Sequence, residues 1–293
     1  MSRFTGRTIA VFGGSGFIGR SVVARLIADG ATVRIATRNP VDPGQLLYRR
    51  GDAATIEPIL AGADGVVHLI GILAEHGAED FFTVQRDGPA VIAVMARAAG
   101  IKDFVHVSAI GADPASPARY GRSKAAGETA VRFAFPDAAI LRPSIVIGKG
   151  DGFFTLFSKI AKYSPVLPLI GGGKTKFQPV YVGDVAAAVA ESLARPETRG
   201  QTYELGGPGV YSFKQLLALM LRSQHTSRLL VPLPWFAARL EAAVLERLPH
   251  PLLTRDQLKM LTRDNVVAPG AEGLAALGIE PVAVEQVLGE IYA

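Results

Sequence analysis

The 293-residue sequence has no cysteine, one tryptophan and four methionines. Without a thiol there is no disulfide framework, no thiolate zinc site and no cysteine nucleophile. The five histidines, His68, His76, His106, His225 and His250, are scattered without metal-ligand spacing, so no metal is expected. Long apolar runs are missing too. Hydrophobic residues make up 49% of the chain and the mean hydropathy is positive, yet Asp, Glu, Arg or Gly interrupts every apolar stretch before the roughly 20 residues that cross a bilayer. Charge of one sign is not gathered into blocks either. The 31 Lys and Arg residues face 26 Asp and Glu, and no basic cluster exceeds the pair Arg49 and Arg50. Nucleic acid is therefore not an expected partner, and the excess of +5 suits an anionic cofactor, an acidic partner or lipid headgroups. A strand-like run begins at Thr8, which leaves no room for a targeting peptide in the sequence as given, so a cytoplasmic or already processed chain is expected.

What is present is an alternation. Residues 8–12 form a β-branched run, followed by glycines and a helical pattern over 17–27 with Ile18, Val22 and Leu26 on one face. Strand-like runs recur at 32–37, 65–70, 104–108 and 139–141, with helices over 81–99 and 120–135. Such alternation predicts an α/β fold with a doubly wound parallel sheet covered on both faces. After Pro143 the order gives way to Gly- and Pro-rich turns at 148–152 and 164–173, with helices near 183–194, 212–223, 235–248 and 254–262. The expected organisation is a sheet domain over 1–147, completed by segments near 177–205, and a smaller, mostly helical lobe over 148–293.

Gly13, Gly14, Ser15, Gly16, Phe17, Ile18 and Gly19 fill the junction of the first strand and first helix. Glycine permits the tight turn and close approach of a pyrophosphate, while the helix start offers free N–H groups and a positive dipole. A lone glycine triplet is weak, but in this setting it predicts a Rossmann-type dinucleotide site. In NAD-selective sites an acid near the end of the second strand holds the ribose. Here the residues are Ala36, Thr37 and Arg38. A guanidinium suits a 2′-phosphate, so NADP(H) is expected ahead of NAD(H), the alternative being a solvated loop cation. Asp52 stands where an adenine-edge contact is usual, or caps a turn. Ile70 and Gly71 fall at the switch point, where backbone flanks the nicotinamide ribose.

Tyr120 and Lys124 lie four residues apart on one helix face, and Ser108 closes the preceding strand at the carboxyl edge of the sheet. Together they permit carbonyl or alcohol chemistry: Lys124 lowers the phenol pKa and bonds the ribose, Tyr120 exchanges the proton, and Ser108 orients the oxygen. The same residues can also hold a cofactor in a protein that performs no reaction.

The glycine triplet, strand-end Ser and Tyr-x-x-x-Lys together resemble the short-chain dehydrogenase/reductase superfamily in its extended, atypical branch. Residues 106–112 (HVSAIGA), 141–148 (LRPSIVIG), 177–186 (FQPVYVGDVA) and 264–267 (DNVV) look like the nucleotide-binding accessory subunits of respiratory complex I in bacterial form, over nearly the whole chain. That resemblance implies a bound NADP(H) that stabilises the subunit outside the electron-transfer path. It also implies docking on complex I subunits of the peripheral arm near the quinone site, on the cytoplasmic side and peripheral to the inner membrane. Pro143, Ser144 and Ile145 would then pack beside the nicotinamide, with Asp184 organising the 178–182 loop; in purely structural terms, Pro143 ends a strand and Asp184 caps a helix. One departure stands out. The helix that often carries a proton-relay Asn reads Thr83, Val84, Gln85, Arg86 here, although Tyr120 and Lys124 are intact. A free-standing NAD(P)H-dependent reductase or sugar-nucleotide epimerase is the alternative.

Two further motifs need placing. Gly171, Gly172, Gly173, Lys174 and Thr175 mimic the end of a P-loop, but Pro168 occupies the required earlier glycine and no strand-to-helix junction is predicted, so nucleoside triphosphate binding is rejected. Phe236, Leu240, Val244 and Leu248 recur at helical spacing, a pattern that usually marks a core face. The preceding apolar segment 229–234 offers a second option, contact with a lipid surface or a partner subunit.

Overall fold

A computed structural model of the chain describes residues 3–75, 77, 79–247, 251 and 253–292. His76, His250 and Leu248, named above, lie outside the described residues.

Seven parallel strands form the central sheet: β1 (Thr8–Phe12), β2 (Thr32–Thr37), β3 (Gln45–Leu47), β4 (Gly65–His68), β5 (Asp103–Val107), β6 (Ala139–Pro143) and a late strand, Thr202–Leu205, in the order Thr202–Leu205, β6, β5, β4, β1, β2, β3. Successive side chains of β1 enter opposite layers. Ile9 and Val11 join one cluster with Val22 and Leu26 of α1 (Phe17–Ala28). Ala10 and Phe12 join another with Ile56, Ile59 and Leu60 of α2 (Ala53–Leu60), Ile92 and Ala96 of α3 (Gly88–Ala98) and Val131 of α4 (Arg119–Ala134). Burial on both faces explains the unbroken apolar run of β1, and each such large side chain contributes about 2 kcal/mol.

Within residues 1–147 the elements not foreseen are short: β3 spans three residues, and α2 carries Pro58 inside it. The helix expected over 81–99 is not uniform. A π-helical turn, Thr83–Asp87, precedes α3, and its widened backbone presents the Gln85 carbonyl to α4. That approach is possible because residue 127 is glycine; a Cβ there would overlap the Gln85 oxygen.

Downstream come β7 (Val146–Ile147), α5 (Gly152–Tyr163), β8 (Val166–Ile170), β9 (Lys176–Phe177), β10 (Val180–Tyr181), α6 (Val182–Ala194), β11 (the Thr202–Leu205 strand), β12 (Tyr211–Ser212), α7 (Phe213–Ser223), β13 (Leu229–Leu233), α8 (Trp235–Leu245), α9 (Arg255–Met260) and α10 (Val284–Tyr292). Val185, Val189 and Leu193 of α6 pack in the α1 layer, so α6 and β11 return to the central sheet. The remaining elements enclose their own core of Phe154, Leu167, Leu169, Phe213, Leu217 and Met220. Residues 164–173, expected as turns, contain β8. It pairs in parallel with β13, Val231 opposite Pro168, and a two-stranded ribbon has free edges where proline costs no ladder bond. Gly171–Gly173 form a 3₁₀ turn packed on the Trp235 ring, not a strand-to-helix junction.

The expectation of a core face at Phe236, Leu240 and Val244 is overturned. These three are 77%, 72% and 62% exposed, whereas Ala238 and Ala242 are fully buried. Small side chains let α8 lie close against Leu258 of α9 and Ile170 of β8, so the bulky stripe turns outward.

Candidate functional site

The order of the sheet reverses at β1, which has β2 on one side and β4 on the other, and ligands of open α/β sheets bind at such a switch point. Gly13 follows β1 with φ of +90°, a conformation that disfavours other residues. A Cβ on it would stand 3.2 Å from the Ile70 amide nitrogen, so the loops after β1 and β4 pack directly on each other. Gly19 lies against Gly13, whose carbonyl oxygen a Cβ on residue 19 would overlap. Gly16 is the N-cap of α1, with ordinary extended angles (φ −74°, ψ 177°), and a Cβ there would touch only the Gly13 oxygen at 3.3 Å. No side chain caps this helix start and no acid lies in its first turn, so the protein leaves its positive end uncompensated. Ser15 is exposed at the lip, its carbonyl accepting from Arg20 at 3.0 Å. Phe17 and Ile18 supply the next amides. This is a cradle of the kind a diphosphate fills.

Arg38 directly follows β2, its side chain 80% exposed, and donates to Glu79 at 3.0 Å. Arg50 reaches the same Glu79 oxygen at 3.4 Å. Two guanidinium groups thus meet on one carboxylate at the edge where an adenosine ribose would lie. Asp52 acts as a cap, its carboxylate accepting the Ala54 N–H of α2 at 3.1 Å.

Ser108, Gln85 and Lys124 converge beyond β4 and β5. Lys124 is buried and donates from Nζ to the Val107 carbonyl at 3.1 Å. Burial pulls its pKa down to about 8, against an opposing pull from Glu128. It is thus mostly a cation at neutral pH and discharges as pH passes through 8. A Cβ on Gly71 would lie 3.6 Å from Lys124 Nζ and 3.3 Å from Gln85 Oε1, which puts the β4 loop against both groups. The half-buried Tyr120 ring stacks edge-on against Phe81, and burial pushes its phenol up to about 12, the reverse of the lowering by Lys124 expected from the sequence. Gln85 Nε2 donates to Ser123 Oγ at 2.8 Å, and Ser123 donates to the Tyr120 carbonyl at 2.7 Å. Among the described residues, the buried side-chain polar atoms without a partner are Ser108 Oγ, Gln85 Oε1 and the Nε2 atoms of His68 and His106. All belong to the ends of β4 and β5 or to the π turn beside them. Such a concentration of unsatisfied groups fits a place that receives a polar ligand.

The histidine pair was not read as part of the site. His68 and His106 stand opposite each other on β4 and β5, Nδ1 to Nδ1 at 3.1 Å. Burial lowers His68 to about 3, helped by the Lys124 charge. It lowers His106 as well, with His68 and Lys124 adding to the effect. Both rings stay neutral in the fold while the unfolded chain gains protons below pH 6.5. Stability is therefore complete above that value and falls as pH drops toward 3, by about 1.4 kcal/mol per pH unit for each ring. Urea denaturation at pH 7.5 and 5.5 is expected to give a loss roughly 3 kcal/mol larger in the wild type than in His68→Asn/His106→Asn; equal losses would refute this account.

Residues of the second lobe also reach the site. Asp256 of α9 accepts the N–H groups of Arg119 and Tyr120 at 2.7 and 2.9 Å, capping α4 from 136 residues away. Ser144, just after β6, donates to the Asn265 side chain at 2.7 Å. Pro143 ends β6, its carbonyl accepting from Ile110, and the half-buried Ile145 accepts from Val180. Asp184 does not cap α6, whose N-cap is Tyr181; its carboxylate instead accepts the Val282 amide at 2.9 Å. Asp256 carried no sequence signal, since a capping contact so distant in the chain leaves no local pattern.

Comparisons with known proteins agree with this geometry. Residues 9–206 match the model of the NAD dependent epimerase/dehydratase family. The chain is 35% identical to NADH dehydrogenase [ubiquinone] 1 alpha subcomplex subunit 9, mitochondrial, of Arabidopsis thaliana, over 96% of this chain and 76% of that one. The Rattus norvegicus subunit of the same name is 34% identical over 97% and 79% of the two chains. Among solved structures, an epimerase from Methanothermobacter thermautotrophicus superposes with a TM-score of 0.79 at 18% identity, covering 99% of this chain and 92% of that one. With a seven-stranded doubly wound sheet, a glycine cradle at its switch point and a family match over most of the sheet domain, the chain belongs to the NAD dependent epimerase/dehydratase family and takes a nicotinamide dinucleotide as its cofactor.

Proposed function

We propose that the protein is an NADP(H)-binding accessory or assembly subunit of respiratory complex I, in which the dinucleotide is a structural group and carries no electrons to quinone. The observation that carries this reading is that likeness to the alpha-subcomplex subunits runs through the second lobe as well as the dinucleotide half, over 96% of the chain. The backbone of Gly13, Ser15, Gly16, Phe17, Ile18 and Gly19 would hold the diphosphate. Arg38, with Arg50 beside it, would take the 2′-phosphate in exchange for Glu79, and Asp52 the adenine edge. Ile70, Gly71, Lys124 and Tyr120 would flank the nicotinamide ribose, with Pro143, Ser144 and Ile145 beside the ring. The partner subunits would be those of the peripheral arm near the quinone site, and the protein would sit on the cytoplasmic side, peripheral to the inner membrane and touching its surface.

A free-standing reductase or epimerase is the second reading, favoured by the intact Ser108, Tyr120 and Lys124 and by the Lys124 pKa of about 8. Native gel electrophoresis of solubilised membranes separates the two. The first reading expects this protein to migrate with complex I and to retain NADPH; migration only as a free species, with turnover abolished by Tyr120→Phe, establishes the second.

A further inference from the structure

The outward stripe of α8 calls for a partner. Phe236, Leu240 and Val244 recur every four residues on the solvent face, and the preceding strand β13 also exposes Leu229 and Val231. The opposite face of α8 is already sealed by Ala238 and Ala242, so the stripe cannot be covered by turning the helix. Isolated surface hydrophobics are ordinary, but three recurring on one helix face form a stripe of the kind that marks an interaction surface.

The surrounding charge indicates the occupant. Residues 152–183 and 205–245, which supply α5, β8, α7, β13 and α8 among other elements of the second lobe, contain eight Lys or Arg residues against the single acid Glu241. The whole-chain excess is only +5, so the rest of the molecule carries an acidic surplus. Arg239 projects from α8 itself, and Arg228 donates to the Ala161 carbonyl, which seats it at the end of α5 beside the exposed Lys162 and Tyr163. A second copy of the chain would bring like charges together. No helix among the described residues is long and apolar enough to cross a membrane. An apolar ridge on an 11-residue helix that carries Arg239, within segments rich in cations, matches a surface that is anionic outside and hydrocarbon just beneath.

We propose that β13 and α8 form a membrane-docking face that lays Phe236, Leu240 and Val244 into the interfacial layer of a bilayer rich in anionic phospholipid, with Arg239 on the headgroups. This deepens the membrane-peripheral part of the proposed function by naming the surface and the lipid class.

Flotation of the purified full-length chain tests it, with vesicles of phosphatidylcholine alone and with a third of that lipid replaced by phosphatidylglycerol. Binding to the anionic vesicles is expected to exceed binding to the neutral ones by at least about tenfold and to weaken as salt rises from about 0.1 M to about 1 M. The exposed-face variant Phe236→Ser/Leu240→Ser/Val244→Ser is expected to lose about tenfold in vesicle binding. Its melting temperature and NADPH retention should be unchanged, which excludes unfolding. Equal binding by variant and wild type, or no wild-type binding to anionic vesicles, overturns the proposal. If the wild type ignores vesicles yet migrates with complex I on native gels, the face meets a protein and only this inference fails. If it binds vesicles but never migrates with the complex, only the functional reading fails.

Discussion

Gly16→Glu is expected to lower affinity for NADPH and NADH alike by at least about a hundredfold, while the melting temperature of the cofactor-free protein stays within about 2 °C of the wild type. Residue 16 has backbone angles open to any amino acid, and its Cβ would meet only the Gly13 oxygen at 3.3 Å, so the fold tolerates a side chain there. The added carboxylate, however, enters the cradle. Like charges about 4 Å apart at an effective dielectric constant of 20 repel by about 4 kcal/mol, close to three decades in a binding constant. Arg38→Ala provides the contrast: NADPH affinity is expected to fall by about tenfold or more and NADH affinity to hold, since only the former carries the 2′-phosphate. Isothermal titration of both nucleotides checks the set. Unchanged affinities in Gly16→Glu would remove the diphosphate from this loop, and wild-type parity between NADPH and NADH would remove the role of Arg38.

Gly127→Ala is expected to destabilise the protein by about 3 kcal/mol, read as a shift of the urea midpoint at unchanged slope. In an ordinary helix interior the same exchange would stabilise by up to about 1 kcal/mol, because alanine is the better helix former. The sign reverses here because the new methyl group would overlap the Gln85 carbonyl oxygen, forcing α4 away from the π turn. The damage reaches function, since α4 carries Tyr120 and Lys124, and Gln85 lies against Lys124 through Gly71. NADPH retention should fall together with stability. A neutral or stabilising effect would mean that the π turn and α4 are less tightly apposed than described.

The dinucleotide half was legible from local patterns. β2 spans the foreseen residues 32–37, and α1 begins at Phe17, because a β-branched run, a glycine junction and a helical period are each written within a dozen residues. The glycine junction between β1 and α1 was legible for the same reason. What escaped depends on distance in sequence. The π turn answers to a missing side chain some 40 residues later at Gly127. The histidine pair becomes a pair only when β4 and β5 align, and it then contributes two of the four unsatisfied polar atoms found among the described residues. The stripe on α8 was found but assigned to the wrong side, because periodicity reports that a helix has a bulky apolar face and not which face its neighbours choose. The close fit of Ala238 and Ala242 against α9 made that choice.

The Asp256 carboxylate, reaching from α9 to the first amides of α4, makes the two halves of the molecule answerable to each other. Because α9 also packs against α8, a force that shifts α8 is passed on to the helix bearing Tyr120. Thermodynamic reciprocity then applies: if seating the docking face tightens the grip on the dinucleotide by some factor, the dinucleotide strengthens that seating by the same factor. A nucleotide held as the proposed structural group would in this way report, through its occupancy, whether the protein has arrived where it belongs.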